Sequence, residues 1–526
     1  MRVLLRVIAS SLKSSFTILI LFFFVQCSSS KIFYVDINGH DSAGDGSESK
    51  PWRTLEFALT KVTANEGHTI KISPGIFLEK AYLQVPEGVN IEGSGTGTTI
   101  IKPDSSLFFQ SSQWVFDKFL ITLSSKTETN GNQVLKDFSI DGESKQLYGG
   151  IHIRNRNNVT VQRLHIFSTY YTALWIWGTK NSRITEMKTK DSAWGSKEGC
   201  SGTIHLTACE DLEVDHLDID EDLGYGLKAV GDGRMFRLKL HDNHISVNPE
   251  GQWKTPGGAS APNIACEFYN VELKGCEIYN NYFDNQLSIA MDKPQWTQPT
   301  GEQTIRIYNN TFDLVNRAKG QGHGLELTVH DAEVDHNYFY GGSTSIVNWD
   351  TSKDAHTMQN WKIHHNTFYN IDSFYPSGII NLFRNGFNNL HIYNNTVELT
   401  GTATINFIEV NNGGVADNVK IENNLIINSN SSYKWYPNKL MSLVNNASFK
   451  NSLVKNNFFQ RLNLDSIPGV IYTDNYVGDP LIQKKGDRPT PYYLLIEGSP
   501  LIDLGTPIGE EKFSGKAPDI GAFEVE

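Results

Sequence analysis

The chain has 526 residues, 39% of them hydrophobic and 20% charged, which is ample apolar material for a large core and excludes a disordered chain. Its 46 basic and 58 acidic residues give a net charge of −12, excluding a surface built to hold nucleic acid while leaving room for a local basic cleft around an anionic sugar.

The first element is an export signal over residues 1–27, with Arg2, Arg6 and Lys13 ahead of the apolar run "FTILILFFFV" from Phe16 to Val25. That run is too short to span a bilayer comfortably. The following "QCSSSK" permits cleavage near Val25-Gln26-Cys27 or lipidation of Cys27 as in bacterial lipoproteins, although "FVQC" departs from the usual lipobox at the residues before Cys. The expected location is therefore outside the cytoplasm, as a secreted, periplasmic or outer-membrane lipoprotein, with membrane contact only through Cys27.

Residues 31–100 read as an N-terminal cap and first rungs. "FYVDINGHDSAGDGSESKPWRTLEFALTKV" holds a strand, a polar Gly-rich loop and one amphipathic helix, and a strand-and-turn rhythm begins with "HTIKISPGIFLEK". Such a helix shields the edge of a first rung that would otherwise invite aggregation.

Across residues 101–460 helical periodicity nearly vanishes and one phrase recurs: "EIYNNYFDN", "IRIYNNTFDL", "EVDHNYFYG", "KIHHNTFYN", "HIYNNTVEL", "KIENNLIIN" and "LVKNNFFQR". Alignment on the final Asn gives Asn243, Asn281, Asn310, Asn337, Asn366, Asn395, Asn424 and Asn457, at intervals of 38, 29, 27, 29, 29, 29 and 33 residues. Alternating apolar and polar residues before each Asn, and a second strand-like piece in each interval ("GIHIR", "GTIHL", "YGLKAV", "NIACEF", "HGLELTV"), give two or three short strands per turn. Short strands with no covering helix bury their inner faces only by stacking turn on turn. The predicted fold is all-β, a right-handed parallel β-helix (solenoid) with an N-terminal helix cap and a C-terminal cap. The repeated Asn is expected to take the left-handed backbone of a sharp corner and to bond its counterpart in the next turn. "DIDEDLGYG", residues 218 to 226, reads as an acidic turn, and residues 461–526, with "GSPLIDLGTP" and "APDIGAFEVE", form the C-terminal cap.

The two end segments and the Asn ladder resemble the pectate-lyase-like superfamily of right-handed parallel β-helix proteins, over roughly Phe33 to Glu526. The resemblance implies that fold and a carbohydrate-active protein. It does not choose a reaction, because the superfamily holds hydrolases, lyases, epimerases, esterases and plain binding proteins.

Insertions point to the site. The longest, at 188 to 202, 246 to 263, 291 to 303 and 348 to 360, flank one strand set and carry Trp194, Trp253 and Trp296, faces suited either to sugar rings or to loop packing. Reading alternate residues outward places His152, Trp175, His205 and Lys228 on early rungs, Glu267, Asp292, Glu326 and Asp350 on middle ones, and Asn381, Arg384, Asn406 and Glu409 on later ones. Adjacent rungs stand ~4.8 Å apart, so Glu267 and Asp292 in register would share a site and push one pKa up. Glu267 and Glu326, two rungs apart at roughly 9.6 Å, would instead suit inversion. The expected catalytic set is therefore Glu267, Asp292 and Glu326, with His205, Lys228, Lys293, Asp350, Arg384, Trp194, Trp253 and Trp296 against substrate. Ordinary solvated carboxylates are the bland alternative.

The expected activity is glycoside hydrolysis of a complex polysaccharide or oligosaccharide by a monomer, without a required cofactor. The runner-up is a polysaccharide lyase, in which Ca²⁺ between carboxylates neutralises a uronate and Lys228, Lys293 or Arg384 takes a proton. A non-catalytic glycan-binding surface protein is the third reading. Cys200, Cys209, Cys266 and Cys276 offer either two bridges or small buried hydrophobes.

Overall fold

The computed structural model describes residues 30–525 except 108–117, 144–145, 194–201, 222–223, 232, 249–251, 255–259, 292–299, 316–321, 349–356, 370–376, 384–385, 400–404, 430–438, 463 and 487–491. Parallel pairing links 43 strands into one continuous ladder, a right-handed parallel β-helix, so each turn covers the edge of the one before. Among the described residues no helix is long and apolar enough to cross a membrane.

Each regular turn has three strands on three faces. The turn that carries Cys266–Tyr269 continues through Cys276–Tyr279 and Tyr282–Phe283, and the next runs through Leu287–Ala290, Ile305–Tyr308 and Thr311–Leu314. Branched and aromatic residues point inward at period two, and equivalent residues stack along the axis. Phe283, Phe312, Phe339 and Phe368 form one such file, with ring centroids 5.3, 4.7 and 5.0 Å apart. Cys209, Cys266 and Cys276 are free, buried thiols in this core, and burial pushes Cys209 up to about 12. Of the two readings of these cysteines, the structure shows the small hydrophobe; Cys200 lies outside the described residues.

The corner between the second and third strands divides its work between two residues. Asn281, Asn310, Asn337, Asn366, Asn395, Asn424 and Asn457 are buried, and each donates its side-chain N–H to the Oδ1 of the next at 2.9–3.0 Å. The ladder runs one rung further than the repeat suggested, to Asn475. The left-handed conformation belongs to the preceding residue, Asn280, Asn309, His336, His365, Asn394, Asn423 or Asn456, with φ between 48 and 56°. A further difference concerns the acidic stretch at 218, where Asp218–Glu221 is a strand paired with His244–Val247. Its Ile219 points into the core and Asp218 and Asp220 outward, an alternation that the density of acids had concealed, while Glu221 is buried and accepts from Ser192 N–H at 2.7 Å and the Thr203 hydroxyl at 2.9 Å.

The helix Leu55–Lys61 closes the first turn. Thr54 caps it by accepting from Phe57 N–H, and the buried Glu79 carboxylate accepts from Leu55 and Glu56 N–H at 3.0 Å each. At the other end the strands Ile482–Lys485 and Tyr492–Leu495 pair antiparallel, and Leu501 and Ile520 pack on Leu425, Ile427 and Phe458. The tail then returns along the Asn corner: Thr506 exchanges two bonds with the Asn423 amide, and Ala522 N–H donates to Thr396.

Candidate functional site

On the first face of each turn, pairing aligns one outward residue per rung in the column His152, Trp175, His205, Lys228, Glu267, Ser288, Glu326, Val347, Asn381, Glu409, Ser442. Each is outward because its neighbours are fully buried on the opposite side: Cys266 and Phe268 around Glu267, Leu325 and Leu327 around Glu326.

The early rungs of this column are covered. His152, Trp175 and His205 pack in a cluster with Phe119, Tyr148 and Tyr171, and the His205 ring sits 5.0 Å from Trp175 and 5.3 Å from Tyr171. His205 Nε2 accepts from Gly202 N–H at 2.9 Å, and burial, reinforced by Lys228, pushes its pKa down to about 3. Direct substrate contact by His205 is thus replaced by a packing role, because aromatic side chains from neighbouring turns cover the ring.

The middle rungs hold the charged groups. Lys228 forms an ion pair with Glu267 and lies 4.6 Å over the Tyr225 ring. Ser288 separates the two glutamates and donates its hydroxyl to Glu326 Oε2 at 2.6 Å, while Gln286 donates to the same oxygen at 3.0 Å. Two rung spacings put Glu267 and Glu326 about 9.6 Å apart along the column. The register partner of Glu267 is Ser288, in Leu287–Ala290, so the cross-rung position expected for Asp292 is held by serine. Further along, Glu409 accepts from Asn411 at 3.1 Å and from Asn381 at 3.4 Å, and burial raises its pKa. It lies three rungs from Glu326, roughly 14 Å, too far to share one glycosidic bond with it.

Asp292, Lys293, Asp350, Arg384, Trp194 and Trp296 lie outside the described residues, and Trp253 is on the hairpin strand Gln252–Lys254 within the insertion. Ser288 and Gln286 are the positioning residues that sequence reasoning missed. Their signal was the "NQLSIA" strand, whose outward Ser288 stands four residues before the carboxylate sought there, in the same phase.

Among the described residues, three His/carboxylate groups with ligand atoms within 4.8 Å of one another lie on the second face and its corner: Glu213, Asp215, His241; Glu333, Asp335, His364; and His364, His365, Glu511. In the first two the buried aspartates are already satisfied. Arg183 grips Asp215 at 2.7 and 2.8 Å, and Arg306 grips Asp335 with two bonds of 2.8 Å.

Residues 37–205 match the family described as "Protein of unknown function (DUF1565)". No curated protein matches the chain. Among solved structures it is similar to the mannuronan C-5 epimerase AlgE6 A-module of Azotobacter vinelandii, at 13% identity and TM-score 0.35 over 81% of this chain and 94% of that one. It is also similar to pectate lyase Pel9A, at 14% identity and TM-score 0.32 over 95% and 97%. A third similar structure is a mutant tailspike protein of E. coli bacteriophage HK620 in complex with pentasaccharide, at 11% identity and TM-score 0.49 over 84% and 78%. The architecture is a right-handed parallel β-helix.

Proposed function

We propose that this chain is a polysaccharide-active enzyme, and specifically a glycoside hydrolase of the inverting type. The observation that carries the reading is the separation of Glu267 and Glu326 by one serine rung in a single register column. About 9.6 Å is at the wide end of the range that leaves room for a water between sugar and base. Glu267, ion-paired with Lys228, is the general base that activates that water, and Glu326, fixed by Ser288 and Gln286, is the acid that protonates the leaving oxygen. Lys228 positions Glu267. The hydrolysis needs no cofactor.

The Lys228–Glu267 contact favours a second reading, β-elimination on a uronate, in which Lys228 takes the proton beside the sugar carboxylate. The product separates the two. Purified full-length protein is incubated with plant and algal polysaccharides, and reducing ends and ultraviolet absorbance of unsaturated sugar are followed with and without chelator. Hydrolysis predicts reducing ends without absorbance, insensitive to chelator, with a loss of about 10²–10⁴-fold in Glu267→Gln and Glu326→Gln. Absorbance would sink the hydrolase reading, and full activity in both variants would sink the column. Export is part of the same proposal, since polymeric substrate lies outside the cell, and mass analysis of mature protein reports whether Cys27 carries lipid.

A further inference from the structure

His364 ends the strand Met358–His364 on the second face, buried, with its ring stacked 4.6 Å from Tyr393. Its Nε2 lies 3.0 Å from Glu333 Oε1, a carboxylate that can only accept, so Nε2 carries the proton and Nδ1 presents a lone pair. The next residue, His365, takes the left-handed corner with φ 52°, which turns its ring back until its Nδ1 is 2.9 Å from His364 Nδ1.

The tautomer of His365 is set by Asn394, whose amide is 3.2 Å from His365 Nε2. Asn394 is 3% exposed, and its Oδ1 has no hydrogen-bond partner. An amide's oxygen and nitrogen are assigned by their partners, and turning this one over puts the orphaned oxygen on His365 Nε2. That oxygen can only accept, so Nε2 carries the proton and Nδ1 presents a second lone pair. Two buried lone pairs facing each other at 2.9 Å repel unless a cation lies between them. In the other amide orientation His365 Nδ1 carries the proton and bridges to His364 Nδ1, and a metal ion displaces that proton on binding.

A third donor comes from the C-terminal tail. Glu511 Oε1 is 3.8 Å from His364 Nδ1 and accepts from Tyr393 OH at 2.6 Å, and its side chain is 31% exposed, so solvent reaches the group. We propose that His364 Nδ1, His365 Nδ1 and the Glu511 carboxylate bind one divalent ion of the zinc class, which ties the C-terminal tail to the second face. Two imidazoles with one carboxylate suit Zn²⁺, Co²⁺ or Ni²⁺ over Ca²⁺ or Mg²⁺. Nitrogens on a common tetrahedral ion sit about 3.3 Å apart, so the pair opens by a few tenths of an ångström on binding. Glu333 behind His364 and Asn394 behind His365 are the outer partners that orient metal-bound imidazoles. The site is independent of the glycan reading.

The test uses the full chain without a histidine tag, stripped with chelator and titrated with Zn²⁺ by calorimetry and with Co²⁺ by visible absorption. The expected result is one ion per chain at micromolar or tighter affinity, Co²⁺ d–d bands, and slower proteolysis of the tail when Zn²⁺ is present. Glu511→Gln and His365→Asn weaken binding at least tenfold. Asparagine keeps the corner in the second variant, because it already holds the same left-handed position at residues 309, 394 and 423. Absence of saturable binding by the unsubstituted chain, or binding unchanged in both variants, overturns the proposal.

Discussion

Glu79, buried at the start of the cap helix, has its carboxyl pushed up to about 7 from 4.5, chiefly by burial and against two backbone N–H bonds. Between those values the folded chain keeps a proton that the unfolded chain has released. Its contribution to stability is therefore full below pH 4.5 and declines as pH rises through about 7. Asp215 and Asp335 run the other way. Burial raises them, but arginine forks and neighbouring hydroxyl or imidazole groups outweigh it and hold both at about 2, so their stabilisation is full above 3.8 and is lost as pH falls through about 2. Glu79→Gln should remove a stability slope of roughly 2–3 kcal/mol across the upper window while leaving the acid limb intact. Denaturant melts at a series of pH values measure this, and an unaltered upper slope in the variant would assign the dependence to another group.

The corner is the element that makes this chain readable, because its Asn must recur once per turn wherever two strands meet at the same angle. The recurrence fixed the rungs, but not which of two adjacent residues does which job. In "YNNT" both are Asn, and only the backbone shows that Asn309 takes the left-handed conformation while Asn310 joins the ladder. Asn309→Gly should cost under about 1 kcal/mol, since Gly accepts that backbone freely. Asn310→Ala takes the shared acceptor from the Asn281 backbone and side-chain N–H groups and removes bonds to Asn337 Oδ1 and to the Ile278 and Tyr308 carbonyls, a loss of about 2–4 kcal/mol. Chemical melts of the two single variants test the division of labour, and equal losses would contradict it. The candidate site was legible to the same depth. Alternation put Glu267 and Glu326 outward, whereas the partner of Glu267 depended on where a short strand stops inside an insertion of no fixed length. The cover over His205 was invisible for a different reason: Phe119, Tyr148 and Tyr171 come from separate turns that no local pattern connects.

At the scale of the whole molecule the solenoid is quasi-one-dimensional, each turn touching its neighbours, so only the ends need special chemistry. The N-terminal end is covered by a seven-residue helix close in sequence to what it covers. The C-terminal end instead reaches back along the axis. Tyr393 to Glu511 and Thr396 to Ala522 span 118 and 126 residues, against 27 to 33 for ladder contacts between Asn281 and Asn457. These are the contacts with most loop entropy to overcome, so the tail should dock last in folding and leave first in unfolding. Its removal also uncovers Leu425, Ile427 and Phe458, a loss on the order of 5 kcal/mol of apolar burial. A chain ending after Gly498 should therefore melt lower and self-associate through the exposed face. The Glu267–Ser288–Glu326 column should keep its activity, because its pairing partners among the described residues all lie in the solenoid. Sedimentation velocity with a melting curve reads the first effect and the glycan assay reads the second. A truncated chain that stays monomeric at the original melting temperature would show that the solenoid needs no C-terminal cover.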